Sequence, residues 1–229
     1  MDLENSRFLV AGATGALGRA IACELVSAGA HVACAGRDAT ALADIGARLD
    51  APVIPLELRS PDGPATCVAA AQTLLGGLDG LVIATGVVAF GAAHELPEAV
   101  ATELFETNVL GPLALMRAAL PSIEALAVVS AVVADHPTAG MAAYSASKSA
   151  LSAYVSAVRR ERRRDGLHVL DVRPGHLDTG LETRALFGSP PRLPAGGDHR
   201  DVAAAIVQAL REDRDELAYD LMERALVAS

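Results

Sequence analysis

Phe8-Leu-Val-Ala-Gly12-Ala-Thr-Gly15-Ala-Leu-Gly18-Arg19 is the stretch on which the fold turns. Phe8 to Ala11 is a short apolar run that reads as a buried strand. Glycines follow at 12, 15 and 18. The pattern then becomes helical to Ala28, with Ile21 and Leu25 on one face and Gly29 in the stopping position. A strand, a glycine turn and a helix in succession are what a dinucleotide site requires. Gly12 permits a tight turn. Small residues at Gly15 and Ala16 let a pyrophosphate approach backbone N–H groups at the helix N-terminus, where the helix dipole favours an anion. Gly18 lets helix and strand pack closely. The predicted cradle comprises Gly12, Thr14, Gly15, Ala16, Leu17 and Gly18. The competing reading is a plain strand-to-helix turn in a chain rich in Gly and Ala.

Outward from this unit, short apolar runs alternate with alanine-rich helical patterns. Strands are predicted at His31–Ala35, Val53–Leu56, Leu81–Ala84, Ala127–Ser130 and Leu167–Asp171, with a possible short seventh at Leu217–Tyr219. Pro55 favours an edge position for the third. Helices are predicted at Thr40–Leu49, Pro61–Leu75 from a Ser60-Pro61 cap, Glu98–Leu120 with a bend or break at Gly111-Pro112, Met141–Asp165 closed by Gly166, and Asp198–Glu212. The alternation predicts a doubly wound α/β domain over residues 1–229, with a mainly parallel sheet of six or seven strands covered by helices on both faces. Gly188 to Gly197 is rich in proline and glycine and reads as a mobile flap over a site.

The chain has 229 residues, 52% of them apolar and 21% charged, which suits one large globular domain. It carries no Trp, four Phe and three Tyr, and its net charge is -9. Few aromatics and an acidic balance argue against nucleic acid as a partner. Cys23, Cys34 and Cys67 are scattered among apolar neighbours and read as buried small hydrophobes. No cluster has metal-ligand spacing. No apolar run approaches 18 residues and the acidic N-terminus does not resemble a signal peptide, so a cytoplasmic protein without a membrane span is expected.

Tyr144-Ser-Ala-Ser-Lys148 carries the candidate chemistry. Residues four apart share one helix face. There an ammonium is expected to hold down the pKa of a phenol, making it a proton donor or acceptor near neutral pH. The second predicted strand ends Gly36-Arg37-Asp38. The acidic side chain that would grip an adenosine ribose 2′-hydroxyl is absent at Gly36. Arg37 suits a 2′-phosphate by charge and fork geometry, so the cofactor is read as NADP(H). Asp38 is open to a helix N-cap role.

Together these motifs resemble the short-chain dehydrogenase/reductase family over residues 6 to about 180. Phe105-Glu-Thr-Asn108-Val-Leu-Gly111 is similar to its catalytic Asn segment, and Leu78-Asp79-Gly-Leu-Val82 to its lead into the fourth strand. Asp171-Val-Arg-Pro174-Gly175-His-Leu177-Asp-Thr179 is similar to the segment lying along the nicotinamide half of the cofactor. The resemblance implies an acid/base role for Tyr144, a Lys148 that lowers the phenol's pKa and binds the nicotinamide ribose, and an Asn108 that anchors a water. It implies adenine near Glu57 and Leu58, the adenine-side ribose near Ala84-Thr85-Gly86, and nicotinamide contacts from Pro174, Gly175, Leu177 and Thr179. It also implies a homodimer or homotetramer through the helices that carry Asn108 and Tyr144.

Two departures stand out. Ile83-Ala84-Thr85-Gly86 keeps only the glycine of the family's Asn-Asn-Ala-Gly. The catalytic serine's position, thirteen residues before the tyrosine, is Ala131. Ser130 is the neighbouring candidate, but a regular strand turns adjacent side chains to opposite faces, so it reaches the site only if the backbone bulges. Thr138 and His136 are candidate substitute donors, and His176 is open to a place facing the substrate. The basic run Arg159–Arg164 reads as a solvated face complementing a helix C-terminus.

The expected activity is NADP(H)-dependent interconversion of a carbonyl and a secondary alcohol, with a substrate loop at about 181–198. The alternative is a low-turnover NADP(H)-binding or redox-sensing protein, which Ala131 favours. An epimerase is a third reading, against which the chain is short after residue 180.

Overall fold

The computed structural model describes residues 1–223 and 225–229. Eight strands form one sheet: β1 (Arg7–Ala11), β2 (His31–Gly36), β3 (Val53–Pro55), β4 (Gly80–Ile83), β5 (Ala125–Val129), β6 (His168–Arg173), β7 (Glu216–Asp220) and β8 (Ala225–Ala228). Their order is β3-β2-β1-β4-β5-β6-β7-β8. Every neighbouring pair is parallel except β7 and β8, which form an antiparallel hairpin. The expected six or seven strands therefore become eight. The added strand, Ala225–Ala228, is short and mostly exposed, so it carries no buried apolar run for a sequence reading to find. Pro55 lies on edge strand β3, as its missing N–H requires.

Side-chain alternation divides the core into two layers. Phe8, Val10, Ala127 and Val172 pack with helices α1 (Ala16–Ser27), α2 (Ala39–Leu49) and α7 (His199–Arg211). Leu9, Leu126, Val128 and Val169 pack with α3 (Gly63–Leu75), α5 (Gly111–Ala119) and α6 (Ala142–Arg162). The Ser60-Pro61 start is shifted: α3 begins at Gly63 behind Asp62, whose side chain makes no capping bond. Asp38 caps α2, accepting from the Ala41 N–H at 3.0 Å. Asp198 caps α7 in the same way, accepting from Arg200.

Between α4 (Glu98–Phe105) and α5 the helix widens into a π-turn over Glu106–Leu110, where Gly111 N–H bonds Glu106 O. Pro112 has no N–H to offer the Asn108 carbonyl, so an α-type bond cannot form there. The break predicted at Gly111-Pro112 thus lies one turn earlier, with Asn108 inside it. No helix among the described residues is long and apolar enough to cross a membrane.

The strand order reverses between β1 and β4. In open α/β sheets this switch point, at the C-terminal strand ends, is where ligands bind.

Candidate active site and cofactor cleft

A cleft of about 760 Å³ opens at those strand ends. Its floor is the glycine turn. Gly12 has φ +93°, and a Cβ there would lie 2.7 Å from Ala84 O. A Cβ on Gly18 would lie 2.2 Å from Gly12 O. Both glycines are therefore required by backbone approach within the protein. Gly15 is different, since a Cβ there would meet nothing closer than Gly12 O at 3.5 Å. It caps α1 without a side-chain bond, and the first turn of α1 holds no acidic residue. The N–H groups at this helix end face the cleft with no intrahelical acceptor. Thr85 adds a buried hydroxyl with no partner among the described residues at the cleft wall. Unpartnered donors, room above Gly15 and the absence of a carboxylate from the first turn of α1 fit the pyrophosphate and ribose of a dinucleotide.

The cleft gathers most of the sequence-predicted residues: Gly15 to Gly18, Ala84 to Gly86, Ser130, Tyr144, Lys148, Pro174, Gly175, Leu177 and Thr179. Gly12 and Thr14 lie beneath the turn. Arg37, Glu57 and Leu58 lie outside the lining, at the ends of β2 and β3. Arg37 is exposed and has no ion-pair partner among the described residues. A Cβ on Gly36 would collide with Thr14, 2.7 Å from its Cγ2, so Thr14 occupies the place of an acidic side chain at Gly36. Glu57 is exposed and accepts from the Arg59 N–H, whereas Leu58 is buried beneath Gly111.

Asn108 is fully buried. Its Oδ1 accepts from Val87 N–H at 2.9 Å, and its Nδ2 donates to Val87 O at 2.9 Å and to Ser147 Oγ at 3.1 Å. The side chain thereby clamps the segment after β4 onto α6, and it does not border the cleft.

Tyr144 and Lys148 lie one turn apart on α6, both buried, and both line the cleft. Lys148 Nζ donates to Val129 O at 3.0 Å and lies against Gly86. The expected depression of the phenol pKa is not what the geometry gives. Burial pushes the Tyr144 phenol up to about 12. Burial also pulls the Lys148 ammonium down to about 8, opposed by the Asp171 carboxylate. In a site this dry, desolvation of each group outweighs their mutual influence.

Ser130 is also corrected. It continues the α6-facing row of Leu126 and Val128, as alternation demands. Its hydroxyl donates to Asp171 Oδ1 at 2.6 Å, so no bulge turns it to the substrate side. Ala131 lines the cleft and packs with Val88, Phe90, Val133, Met141 and Tyr144. Thr138 also lines the cleft, but its hydroxyl donates to His136 O at 3.2 Å. His136 is exposed and outside the lining, whereas His176 borders it.

The segment 188–197, expected to be a mobile flap, is anchored where it ends and just before it begins. Leu177 bridges to Gly197 at its base. Immediately before Gly188, Leu186 N–H bonds Val88 O at 2.8 Å, and Phe90 N–H bonds Phe187 O at 2.9 Å. These bonds fix the chain leading into that segment, and Leu181 and Phe187 pack against the apolar cluster that contains Tyr144.

Two contributions escaped the sequence reading. Tyr219, at the end of β7, packs its ring against Gly175, where a Cβ would lie 3.0 Å from it. Asp171 lies buried behind α6. Tyr219 belongs to no motif, and Asp171 opens the Pro174-Gly175 segment without a role assigned to it there; each reaches the site through strand register.

A model of the short chain dehydrogenase family matches residues 7–186. A solved short-chain dehydrogenase from Streptomyces avermitilis is 31% identical, with a TM-score of 0.84 over 94% of this chain and 88% of its own. A short chain dehydrogenase from Burkholderia cenocepacia, solved with NADP, is 25% identical at a TM-score of 0.82, over 92% of each chain. One from Burkholderia phymatum, solved with NAD, is 22% identical at a TM-score of 0.84, over 94% of this chain and 89% of its own.

Proposed function

Because the chain belongs to the short-chain dehydrogenase/reductase family, we propose that it is an NADP(H)-dependent oxidoreductase interconverting a carbonyl and a secondary alcohol. One domain carries both the cofactor cradle and the substrate wall. The observation that carries the reading is the pairing of Tyr144 and Lys148 in a cleft floored by unpartnered N–H groups. When bound, the nicotinamide ring supplies or takes up the hydride. The N–H groups of Ala16 and Leu17 hold the pyrophosphate, and Lys148 and Thr85 present donors to the ribose hydroxyls. Tyr144 passes a proton to the substrate oxygen in reduction, while Val88, Phe90, Met141 and Leu181 exclude water. At neutral pH a phenol with a raised pKa is fully protonated, so reduction is the favoured direction. Homodimer or homotetramer formation belongs to the same proposal, and Leu110, 59% exposed at the end of the π-turn, is available for it.

NADP(H) over NAD(H) rests on Arg37 and on the Thr14–Gly36 contact that fills the acidic residue's place. Arg37→Ala should weaken NADPH binding roughly 10-fold or more and leave NADH within about two-fold, the loss of a charge-assisted phosphate contact. Parallel fluorescence titrations with both cofactors check this; equal losses would remove the 2′-phosphate assignment.

The overall test follows NADPH oxidation by purified protein against a panel of ketones, aldehydes and quinones. Turnover on at least one is expected. Tight NADPH binding with no turnover across the panel would instead support a sensor. Since Ala131 supplies no second donor to the substrate oxygen, Ala131→Ser should raise kcat by about 10-fold or more on the best substrate, given that one such donor is worth roughly 10²–10³ in well-formed sites. An unchanged kcat would show that another group already donates there.

A further inference from the structure

Behind the lysine lies a buried ionic cluster that the reaction described above leaves without a role. Asp171, on β6, is 2% exposed. Its Oδ1 accepts from Ser130 Oγ at 2.6 Å, and its Oδ2 accepts from Ser152 Oγ at 2.6 Å and from Arg173 Nη1 at 2.7 Å. Three donors thus use it solely as an acceptor, the role of an ionised carboxylate. Two of those donors flank Lys148. Ser130 follows Val129, whose carbonyl holds Lys148 Nζ, and Ser152 is one turn beyond Lys148 on α6. The register pairs Val128 with Asp171, bringing the carboxylate to the α6 side of the sheet.

We propose that Asp171 is the counter-ion of Lys148: a fixed buried carboxylate that keeps the lysine protonated, and through it sets the upper pH limit of the site. The catalytic consequence rests on the oxidoreductase reading; the electrostatic one does not. Asp171 is a positioning residue, since it acts through Lys148.

The other charged groups leave it free to do so. On α6, Tyr144 is a neutral phenol and Arg159 pairs with Glu216 at 3.2 Å. On β6, Arg173 also lies 2.7 Å from Asp135, after β5, and 2.6 Å from Glu216, on β7. The π-turn offers uncharged Asn108, and the segment after β4 offers Gly86. Arg173 thus has two carboxylates besides Asp171; Asp171 makes no direct ion pair with Lys148 among the described residues, but its donors Ser130 and Ser152 flank the lysine's own partner and helix turn. The Lys148 ammonium, drawn down by burial, is raised by this same carboxylate. A buried cation without a counter-ion would lose its proton well below the pH at which a lysine normally does.

Lys148 is the only lysine of the chain. Protein labelled with ¹³Cε-lysine therefore gives a single resonance whose shift reports this ammonium directly, without cofactor or turnover. The wild-type midpoint should fall near 8. Asp171→Asn should lower it by about one to three pH units, the usual effect of one close opposite charge. An unchanged midpoint in folded Asp171→Asn, even with a lowered Tm, would mean the carboxylate merely anchors α6 to β6 and would overturn the proposal. Should Asp171→Asn alone fail to fold, Asp171→Asn/Arg173→Gln is compared with Arg173→Gln, since removing both partners spares an unpaired buried cation; the same downward shift is expected, and its absence overturns the proposal. In the enzyme, the basic limb of the NADPH-oxidation pH profile should move with the midpoint. A shifted midpoint in a protein that reduces nothing would leave the counter-ion standing and remove the oxidoreductase reading.

Discussion

Tyr144→Phe should lower the proposed carbonyl reduction by about 10³-fold, within the range for loss of a positioned acid, while the fold and NADPH affinity should stay essentially unchanged. The ring is 8% exposed and packs among Val88, Met141 and Val133, contacts that phenylalanine keeps. Only the hydroxyl is lost, and with it the donor proposed to protonate the developing alkoxide. Ala131 offers no hydroxyl in reserve, and the Ser130 and Thr138 hydroxyls already donate within the protein. Single-turnover oxidation of prebound NADPH checks this, because it separates chemistry from cofactor binding. Retention of more than a tenth of the wild-type rate would remove the proton-transfer role.

The same burial fixes the sign of the pH behaviour. A phenol raised to about 12 stabilises the fold below pH 10, and that contribution is lost between pH 10 and 12. Lys148 runs the other way: its ammonium is disfavoured in the fold, so stability from this group rises as pH climbs from about 8 to 10.5. Between pH 7 and 9 the group that titrates in the cleft is therefore the lysine. Alcohol oxidation, which needs a base at the phenol position, should require more alkaline conditions than reduction.

The second large effect is at Gly18. Gly18→Ala puts a methyl 2.2 Å from the Gly12 carbonyl oxygen, a backbone atom in a turn fixed by bonds from Gly12 and Ala13 to Ala35 O. Helix α1 must move off β1 by more than an ångström. The expected cost is about 3 kcal/mol, at the upper end of overpacking effects, together with loss of cofactor binding. Gly15→Ala separates the two outcomes. Its methyl meets nothing nearer than 3.5 Å, so thermal stability should hold, while a ligand pressed onto the helix end would be displaced. Calorimetric melting and NADPH titration of both variants check the pair. Equal NADPH affinity in Gly15→Ala and wild type would move the pyrophosphate away from α1.

The glycine turn, the alternating apolar runs and the Tyr144/Lys148 spacing were legible from the chain because they are local. A strand's burial, a helix's stopping glycine and a four-residue spacing each depend on backbone sterics and periodicity within about a dozen residues. The α/β class, the order of the first seven strands along the chain and the elements that carry most of the cleft follow from that. What the chain alone left open depends on groups far apart in sequence. Ser130 looked like a displaced catalytic hydroxyl until register with β6 brought Asp171 to it, 41 residues on. The phenol looked acidic until packing removed the water that would stabilise its anion. Tyr219 acquired a place at the cleft only when the last parallel strand and its hairpin closed the sheet. Motif spacing states which groups share a helix face; protonation depends on desolvation and on charges arriving from other strands, and these exist only once the sheet is assembled.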